Sequence, residues 1–531
     1  MPYKILALEG VTEKGQQLLT AEGWTVDVQP KPMPAPDLVK IIGNYDAMLV
    51  RSGSQITAEI LDAAKNLKVI GRGGVGVDNV DLQAATRRGI MVMNSPQGNM
   101  VSTAELAFAM MLALARNIAP ADASMKSGKW DRKSFGGVEL QGKRLGVVGF
   151  GRIGREVAAR GRAFGMEVVA YDPFVAPAVA ESVHVTLLSL EELIQTCDFI
   201  SLHSVLTPET KHLIGRSLLA KAKKGIRIVN AARGELIDDE ALLEALENGT
   251  VAGAGLDVYA QEPPVDWRVA KHPRVVSTPH VGASTKEAQE RVGTDICIQV
   301  RDYLKGGVIT NAVNFFSLGG TMQDVVRPAM DLAERLGRFL IQVCGCGDQV
   351  KRVELGLYGE FKEIDPKPIL SAALAGVLKP VLSEKVTFVN SLALAKERGI
   401  DVAESSSAAS LSFPNLMVLR LKGDGAELVV AGTVFGRNHL RLVNVDGIEL
   451  DAIPQGNLLV VKNEDRPGII GHIGTLLGKR AVNIARMTVG RNQGSARAIM
   501  VLEVDNEVPA EVLKEVPSIE GIREVKFVNL G

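Results

Sequence analysis

The stretch KRLGVVGFGRIGREVAARGRAFGMEVVAYD, Lys143 to Asp172, decides how the rest of the chain is read. An apolar run, RLGVV, leads directly into Gly149, Gly151 and Gly154, which open the helical pattern RIGREVAARGRAF. A second apolar run then ends at Asp172, eighteen residues after Gly154. Strand, glycine turn, helix and strand in that order make a βαβ unit suited to a dinucleotide. The first glycine allows the tight turn, the second admits a pyrophosphate to the backbone, and the third lets helix and strand pack closely. The helix N-terminus adds partial positive charge. Asp172 is positioned to accept hydrogen bonds from ribose hydroxyls and to repel a 2′-phosphate, so NAD is expected over NADP.

Working outward, strands RLGVVG, EVVAYD, FISLH, IRIVNAA, AGAGLDV and VVSTPH alternate with helical stretches up to residue 283. Residues 1–95 show the same rhythm, and strands separated by single helices predict parallel sheets. NSPQGNMVSTAELAFAMMLALARNI opens a long helix with Ser102 or Thr103 as its expected cap. A second long helix, from about 284 to 305, is expected to return to the first layer. Chain crossings near 97 and 284 would then form a hinge with a cleft between two layers. Past 316 the strand–helix alternation stops, and strands with glycine turns follow. The last segment has the order βαββαβ, a ferredoxin-like split unit. The expected fold is α/β: two doubly wound parallel-sheet domains, flavodoxin-like (1–98 plus 284–315) and Rossmann (99–283). An α+β intervening domain (316–452) and a ferredoxin-like domain (455–531) complete it.

The totals narrow the function. At 531 residues the chain is too long for one core. Sixty basic residues face sixty-one acidic ones, so no global field draws it to nucleic acid or anionic lipid. The four cysteines form no CxxC pair and have no histidines at metal-ligand spacing, so no metal site and a reducing, cytoplasmic setting are expected. No apolar run approaches the ~18 residues of a membrane span.

A bound NAD implies hydride transfer, and that needs a proton carrier. Arg233 and Glu262 follow strands of the dinucleotide layer and His280 ends one, which gathers them at the sheet's carboxyl edge facing the hinge. Histidine is the usual proton carrier near neutral pH, and a carboxylate partner raises its pKa and fixes its tautomer. An arginine fork suits a carboxylate beside a reacting carbonyl. Singly, each has a plainer reading: a packed strand-end histidine, a solvated turn acid, a loop ion pair. Their joint placement favours chemistry.

With GFGRIGREVAARGRAFGMEVVAYDP, NAARGELIDDEAL, GAGLDVYAQEPP and TPHVGAST, the chain resembles the D-isomer-specific 2-hydroxyacid dehydrogenases over about residues 3 to 314. That resemblance implies Arg233, Glu262 and His280 as the catalytic group. It implies cofactor contacts at Arg152, Ile153, Asp172, Ser204, Ala231, Arg233 and Asp257, and along the backbone from His280 through Gly282 and Ala283. It also implies a homodimer, or a homotetramer built from it, made partly through the 100–130 helix.

Arg51 and Arg72 stand in two first-layer loops expected to face the cleft, and Arg132 follows the long helix. Such a cluster suits a phosphorylated 2-hydroxy acid, with Ser52, Gly53 and Asn99 as further expected contacts. NEDRPGIIGHIGTLLGKRAVNIARM, residues 463 to 487, resembles an ACT domain, a small amino-acid-sensing module. A family dehydrogenase carrying such a tail resembles the long-form members that open serine synthesis. This implies oxidation of 3-phospho-D-glycerate, with L-serine as effector at Asp465 and Asn483. The alternatives are reduction of hydroxypyruvate, glyoxylate or 2-oxoglutarate, or a NAD-sensing scaffold without turnover.

Overall fold

The computed structural model describes residues 2–9, 11–316, 323–347, 349–383, 385–408, 413–492 and 496–531. Strands β1 (Lys4–Leu8), β2 (Thr25–Gln29), β3 (Ala47–Val50), β4 (Val69–Arg72) and β5 (Met91–Asn94) form a parallel sheet in the order β2-β1-β3-β4-β5. Helices cover both faces, so β1, β3, β4 and β5 are almost continuously apolar and buried. Helix α1 (Glu13–Thr20) starts where the Thr12 hydroxyl accepts the Gly15 N–H at 3.0 Å. Arg51 opens the loop after β3, whereas Arg72 is the last residue of β4 rather than a loop residue as expected, so both stand at the carboxyl edge.

Helix α2 (Met100–Arg116) leads to the second sheet. Its cap differs from expectation: Asn99 is the N-cap residue, without a side-chain cap bond. Ser102 lies within the first turn and donates to the Asn99 carbonyl, while Thr103 donates across to the Gly282 carbonyl at 3.3 Å. Thr103 thus ties the long helix to the segment after His280.

The second sheet contains β6 (Arg144–Val148), β7 (Glu167–Tyr171), β8 (Thr186–Leu187), β9 (Phe199–Leu202), β10 (Ile226–Asn230), β11 (Val251–Leu256) and β12 (Val275–Ser277). All are parallel, in the order β12-β11-β10-β9-β6-β7-β8. The strand order reverses between β6 and β9, the switch point beside which doubly wound sheets bind ligands. The sequence reading missed β8, whose two residues are too few to show a period. It also ended the last strand at His280, whereas β12 stops at Ser277. His280 lies beyond the sheet in a left-handed turn, φ 53°. Helix α3 (Arg152–Ala163) follows the glycine turn.

Helix α4 (Lys286–Gly306) begins where Thr285 accepts the Ala288 N–H at 3.1 Å. Its Ile296, Cys297 and Val300 are buried with Ile5, Ala7 and Leu49, so this helix packs on the first sheet. Chain crossings before α2 and before α4 therefore join the two layers.

Residues 323–452 hold more helix than the strand-and-turn reading expected. Helices α5 (Gln323–Cys344), α6 (Pro366–Leu378) and α7 (Ser391–Glu397) pack on a six-stranded sheet of β13 (Val350–Gly359), β14 (Asp401–Ser407), β15 (Asn415–Gly423), β16 (Ala426–Phe435), β17 (His439–Val445) and β18 (Ile448–Ala452). Helix α6 is buried on every side, which erases the one-faced apolar stripe that reveals a helix in sequence. Asn390, 1% exposed, donates to the Arg87 carbonyl, and Thr387 donates to the Gly89 carbonyl. These bonds dock the unit just ahead of β5, away from the cleft.

The final unit runs β19 (Asn457–Glu464), α8 (Ile469–Lys479), β20 (Ile484–Arg491), β21 (Arg497–Val504), α9 (Ala510–Glu515) and β22 (Ile522–Asn529). Its antiparallel sheet has the order β20-β21-β19-β22, the split βαββαβ arrangement the sequence predicted. Among the described residues no single helix is long and apolar enough to cross a membrane.

Candidate active site

The glycine turn meets the three demands made of it. Gly149 has φ 91°, and a Cβ there would stand 2.6 Å from the Ser204 nitrogen. A Cβ on Gly154 would stand 2.1 Å from the Gly149 carbonyl oxygen, so this glycine lets α3 close on the strand. Gly151 is the N-cap of α3, and a Cβ there would meet nothing within 4 Å. That open space at a helix N-terminus fits a pyrophosphate. Arg152 and Ile153 are the first residues of α3, Ser204 follows β9, and Ala231 follows β10, so all four border the same edge.

Asp172 has a structural part beside the ribose contact expected of it. Its carboxylate accepts the Phe150 N–H at 2.8 Å and the Phe174 N–H at 2.9 Å, bracing the glycine turn from the end of β7. Each oxygen keeps acceptor capacity for a ribose hydroxyl. The sequence reading passed over His203, which took its place as the last letter of an apolar run. Burial pushes its pKa down to about 4, so the ring is neutral, with Nε2 2.8 Å from the Ser201 hydroxyl.

His280, Glu262 and Asp257 form one bonded assembly. Asp257, 1% exposed, accepts the Val281 N–H at 2.8 Å and the Gly282 N–H at 2.9 Å. Its backbone carbonyl accepts the His280 N–H at 2.8 Å. These bonds hold His280 in the left-handed region, where a non-glycine residue costs about 1 kcal/mol. Asp257 therefore shapes the turn that carries the histidine. The carbonyl of Ala283 is also engaged, accepting from the Gln289 amide at 3.0 Å.

His280 Nδ1 lies 2.6 Å from Glu262 Oε2, and Glu262 Oε1 accepts the Tyr259 N–H at 3.1 Å. The bond to Glu262 holds the imidazole pKa above its usual value, against the opposing effect of burial. Burial pushes the Glu262 carboxyl up, but the bonds from His280 and Tyr259 outweigh it and leave the pKa lowered. A carboxylate fixed on Nδ1 leaves Nε2 as the nitrogen that exchanges a proton.

Arg233 reaches across to the first layer. Its Nε and Nη2 donate to Asp78 Oδ2 at 3.1 and 2.9 Å, and Nη1 donates to the Ala232 carbonyl at 2.7 Å. Behind it the Asn230 amide donates to the Arg233 carbonyl at 2.8 Å.

On the first-layer side the structure brings Arg51 and Arg72 together with Arg233. Burial first, then the neighbouring charges of Arg233 and Arg51, lower the Arg72 pKa to about 10 against the opposing charges of Asp78 and Glu9. Burial also lowers the Arg51 pKa, with Glu9 opposing. Arg72, with the charges of Arg51 and Arg233 beside it, makes a place for an anion. Two carboxylates escaped the sequence reading. Glu9, with φ 61°, accepts the Gly53 N–H at 2.7 Å, so the Gly53 N–H expected for a ligand already has an acceptor. Asp78 lies inside GRGGVGVDN, residues 71–79, beyond the end of β4. Asn79, 7% exposed, donates to the carbonyls of Arg51 and Ser54, both at 2.7 Å, and so ties the two loops together, Ser52 and Gly53 lying between its acceptors. Asn99 Oδ1 is buried without a partner at the start of α2, and Arg132 is exposed beyond α2. No described bond joins Arg132 to this cluster.

In the last unit Asp465 pairs with Arg491, Nε to Oδ2 2.7 Å, whereas Asn483 donates to Asp505 at 2.7 Å. Within one chain these two candidate residues have separate partners.

The fold and this assembly define a dehydrogenase of the D-isomer-specific 2-hydroxyacid class. Residues 108–282 match the family model "D-isomer specific 2-hydroxyacid dehydrogenase, NAD binding domain". Residues 325–446 match "D-3-phosphoglycerate dehydrogenase intervening domain", and residues 457–521 match "ACT domain". The chain is 42% identical, over 99% of its length and 100% of the relative's, to a D-3-phosphoglycerate dehydrogenase of Methanocaldococcus jannaschii. It is 41% identical to the Archaeoglobus fulgidus enzyme of that name, covering 99% of this chain and 100% of that one. A solved glyoxylate reductase from Paecilomyes thermophila superposes with TM-score 0.55 at 33% identity, over 59% of this chain and 99% of its own. The chain belongs to the D-3-phosphoglycerate dehydrogenase family.

Proposed function

We propose that this protein oxidises 3-phospho-D-glycerate to 3-phosphohydroxypyruvate with NAD, the first step of L-serine synthesis. The observation that carries the chemistry is the His280–Glu262 pair at 2.6 Å, which leaves imidazole Nε2 for a substrate hydroxyl. NAD, held at the turn of Gly149, Gly151 and Gly154 and by Asp172, would supply the acceptor for the hydride of C2. Neutral His280 takes the 2-hydroxyl proton, and Glu262 stabilises the imidazolium that results. Arg233 receives the substrate carboxylate. Arg51 and Arg72 receive the phosphate, with Asn99, and Arg132 of the partner subunit, as further contacts. In the reverse direction protonated His280 gives its proton back.

The cationic first-layer cluster favours the phosphorylated acid over glyoxylate or hydroxypyruvate, each of which carries a single carboxylate. NADH formation from 3-phosphoglycerate, against an unphosphorylated 2-hydroxy acid, tests this. Turnover of the unphosphorylated acid alone would overturn the substrate assignment.

The pH profile follows from the raised His280 pKa. Oxidation needs the neutral ring, so its rate rises as pH passes upward through that pKa, while reduction falls over the same window. Replacing Glu262 by Gln removes the main cause of the shift. The oxidation profile of that variant moves to lower pH, with turnover reduced on the scale of about 100-fold. An unmoved profile would separate Glu262 from the proton carrier.

The ACT domain supports an amino-acid effector, and we assign L-serine, contacting Asp465 and Asn483 where two ACT domains of a homodimer or homotetramer meet in the cytoplasm. Millimolar L-serine is expected to lower turnover of the intact chain, and Asn483→Ala is expected to abolish that response. Wild-type turnover indifferent to L-serine would exclude the assignment.

A further inference from the structure

We propose that Asp78 is a positioning residue for Arg233, holding its guanidinium from across the cleft in the orientation that receives the substrate carboxylate. This rests on the reading of Arg233 given above. Asp78 Oδ2 takes two donors at once, Nε at 3.1 Å and Nη2 at 2.9 Å, a side-on grip. Ala232 takes one N–H of Nη1 at 2.7 Å. A guanidinium has five N–H groups, so one on each terminal nitrogen remains for a carboxylate. Held along one edge and at Nη1, the plane of the group is defined before substrate arrives, which is the preorganisation a bidentate carboxylate bond requires.

Stability does not account for the pair. The Asp78 side chain is 71% exposed, and exposed ion pairs contribute little to folding. Its placement is nonetheless tightly built. Asn79 anchors the loop through two 2.7 Å bonds, and Gly76 lets it pass over the guanidinium. A Cβ on Gly76 would stand 1.9 Å from Arg233 Nη2 and 2.8 Å from Asp78 Oδ2. Asp78 also opposes the repulsion among Arg51, Arg72 and Arg233. Because Asp78 and Arg233 belong to different layers, the orientation of the fork is coupled to how the layers meet.

The test is steady-state kinetics of the full-length Asp78→Asn, Asp78→Glu and Gly76→Ala variants, with NADH affinity and thermal midpoint measured beside them. Asp78→Asn is expected to raise KM for the 2-hydroxy acid about tenfold, the scale of one weakened charge-assisted bond. Its kcat, NADH affinity and midpoint should stay close to wild type. Asp78→Glu should recover part of the loss, and Gly76→Ala should repeat it by pushing the guanidinium aside. An unchanged KM overturns the proposal. So does a lowered KM, which would make Asp78 a competitor for Arg233, or a parallel fall in kcat, NADH affinity and midpoint. Failure of the substrate reading is distinguishable, because wild type would then not turn over 3-phosphoglycerate at all. The Asp78 ratio is measured on whichever 2-hydroxy acid wild type oxidises.

Discussion

His280→Gln is expected to lose about 100- to 10,000-fold in turnover while binding NADH as wild type does. Glutamine carries its amide at the reach of Nε2 and so keeps a polar group of similar size facing the cleft. It also inherits the left-handed backbone held by the carbonyl of Asp257 through the 2.8 Å bond from the residue 280 N–H. What it lacks is a nitrogen able to take and release a proton near neutral pH. The variant therefore separates folding and cofactor binding from proton transfer. Stopped-flow NADH formation and fluorescence titration of NADH measure the two. Near-normal turnover would remove His280 from the chemistry.

Gly151→Val is expected to cost NADH affinity with the fold intact. The backbone at Gly151, φ −76° and ψ −156°, is extended and open to any residue, and its Cβ direction meets nothing within 4 Å. A valine there fills the space at the head of α3 in which the pyrophosphate would sit. Losing two charge-assisted backbone bonds costs about 3 kcal/mol, or about 100-fold in affinity. Gly154→Val is the contrasting control. Its Cβ would stand 2.1 Å from a backbone oxygen, so that variant should lose thermal stability as well. Unimpaired NADH binding by Gly151→Val would move the cofactor away from this turn.

Much of this was legible because it depends on short-range order. Glycines at 149, 151 and 154, Asp172 beyond them, and Arg233, Glu262 and His280 after successive strands all appear in linear sequence, since a parallel sheet gathers strand ends at one edge. The terminal βαββαβ order was visible for the same reason. Helix α6 was not visible, because burial on all sides removes its period. Position alone did not reveal what Asp172 does either, since its bonds to Phe150 and Phe174 depend on how the turn folds over the strand end.

The sequence by itself determined the class of fold and the cofactor, and it marked Arg233, Glu262 and His280 as the candidate group at one sheet edge. Only the tertiary structure decided which charges meet across the cleft. Asp78 and Arg233 are separated by 155 positions, and nothing in a linear pattern links an acid in one layer to an arginine in the other. The pairing of Glu9 with Gly53, and the left-handed turn that carries His280 beyond β12, were likewise decided there. Ion pairs and turn bonds depend on distances of a few ångströms, and those exist only once each sheet has formed and, for Asp78 and Arg233, once the two have met.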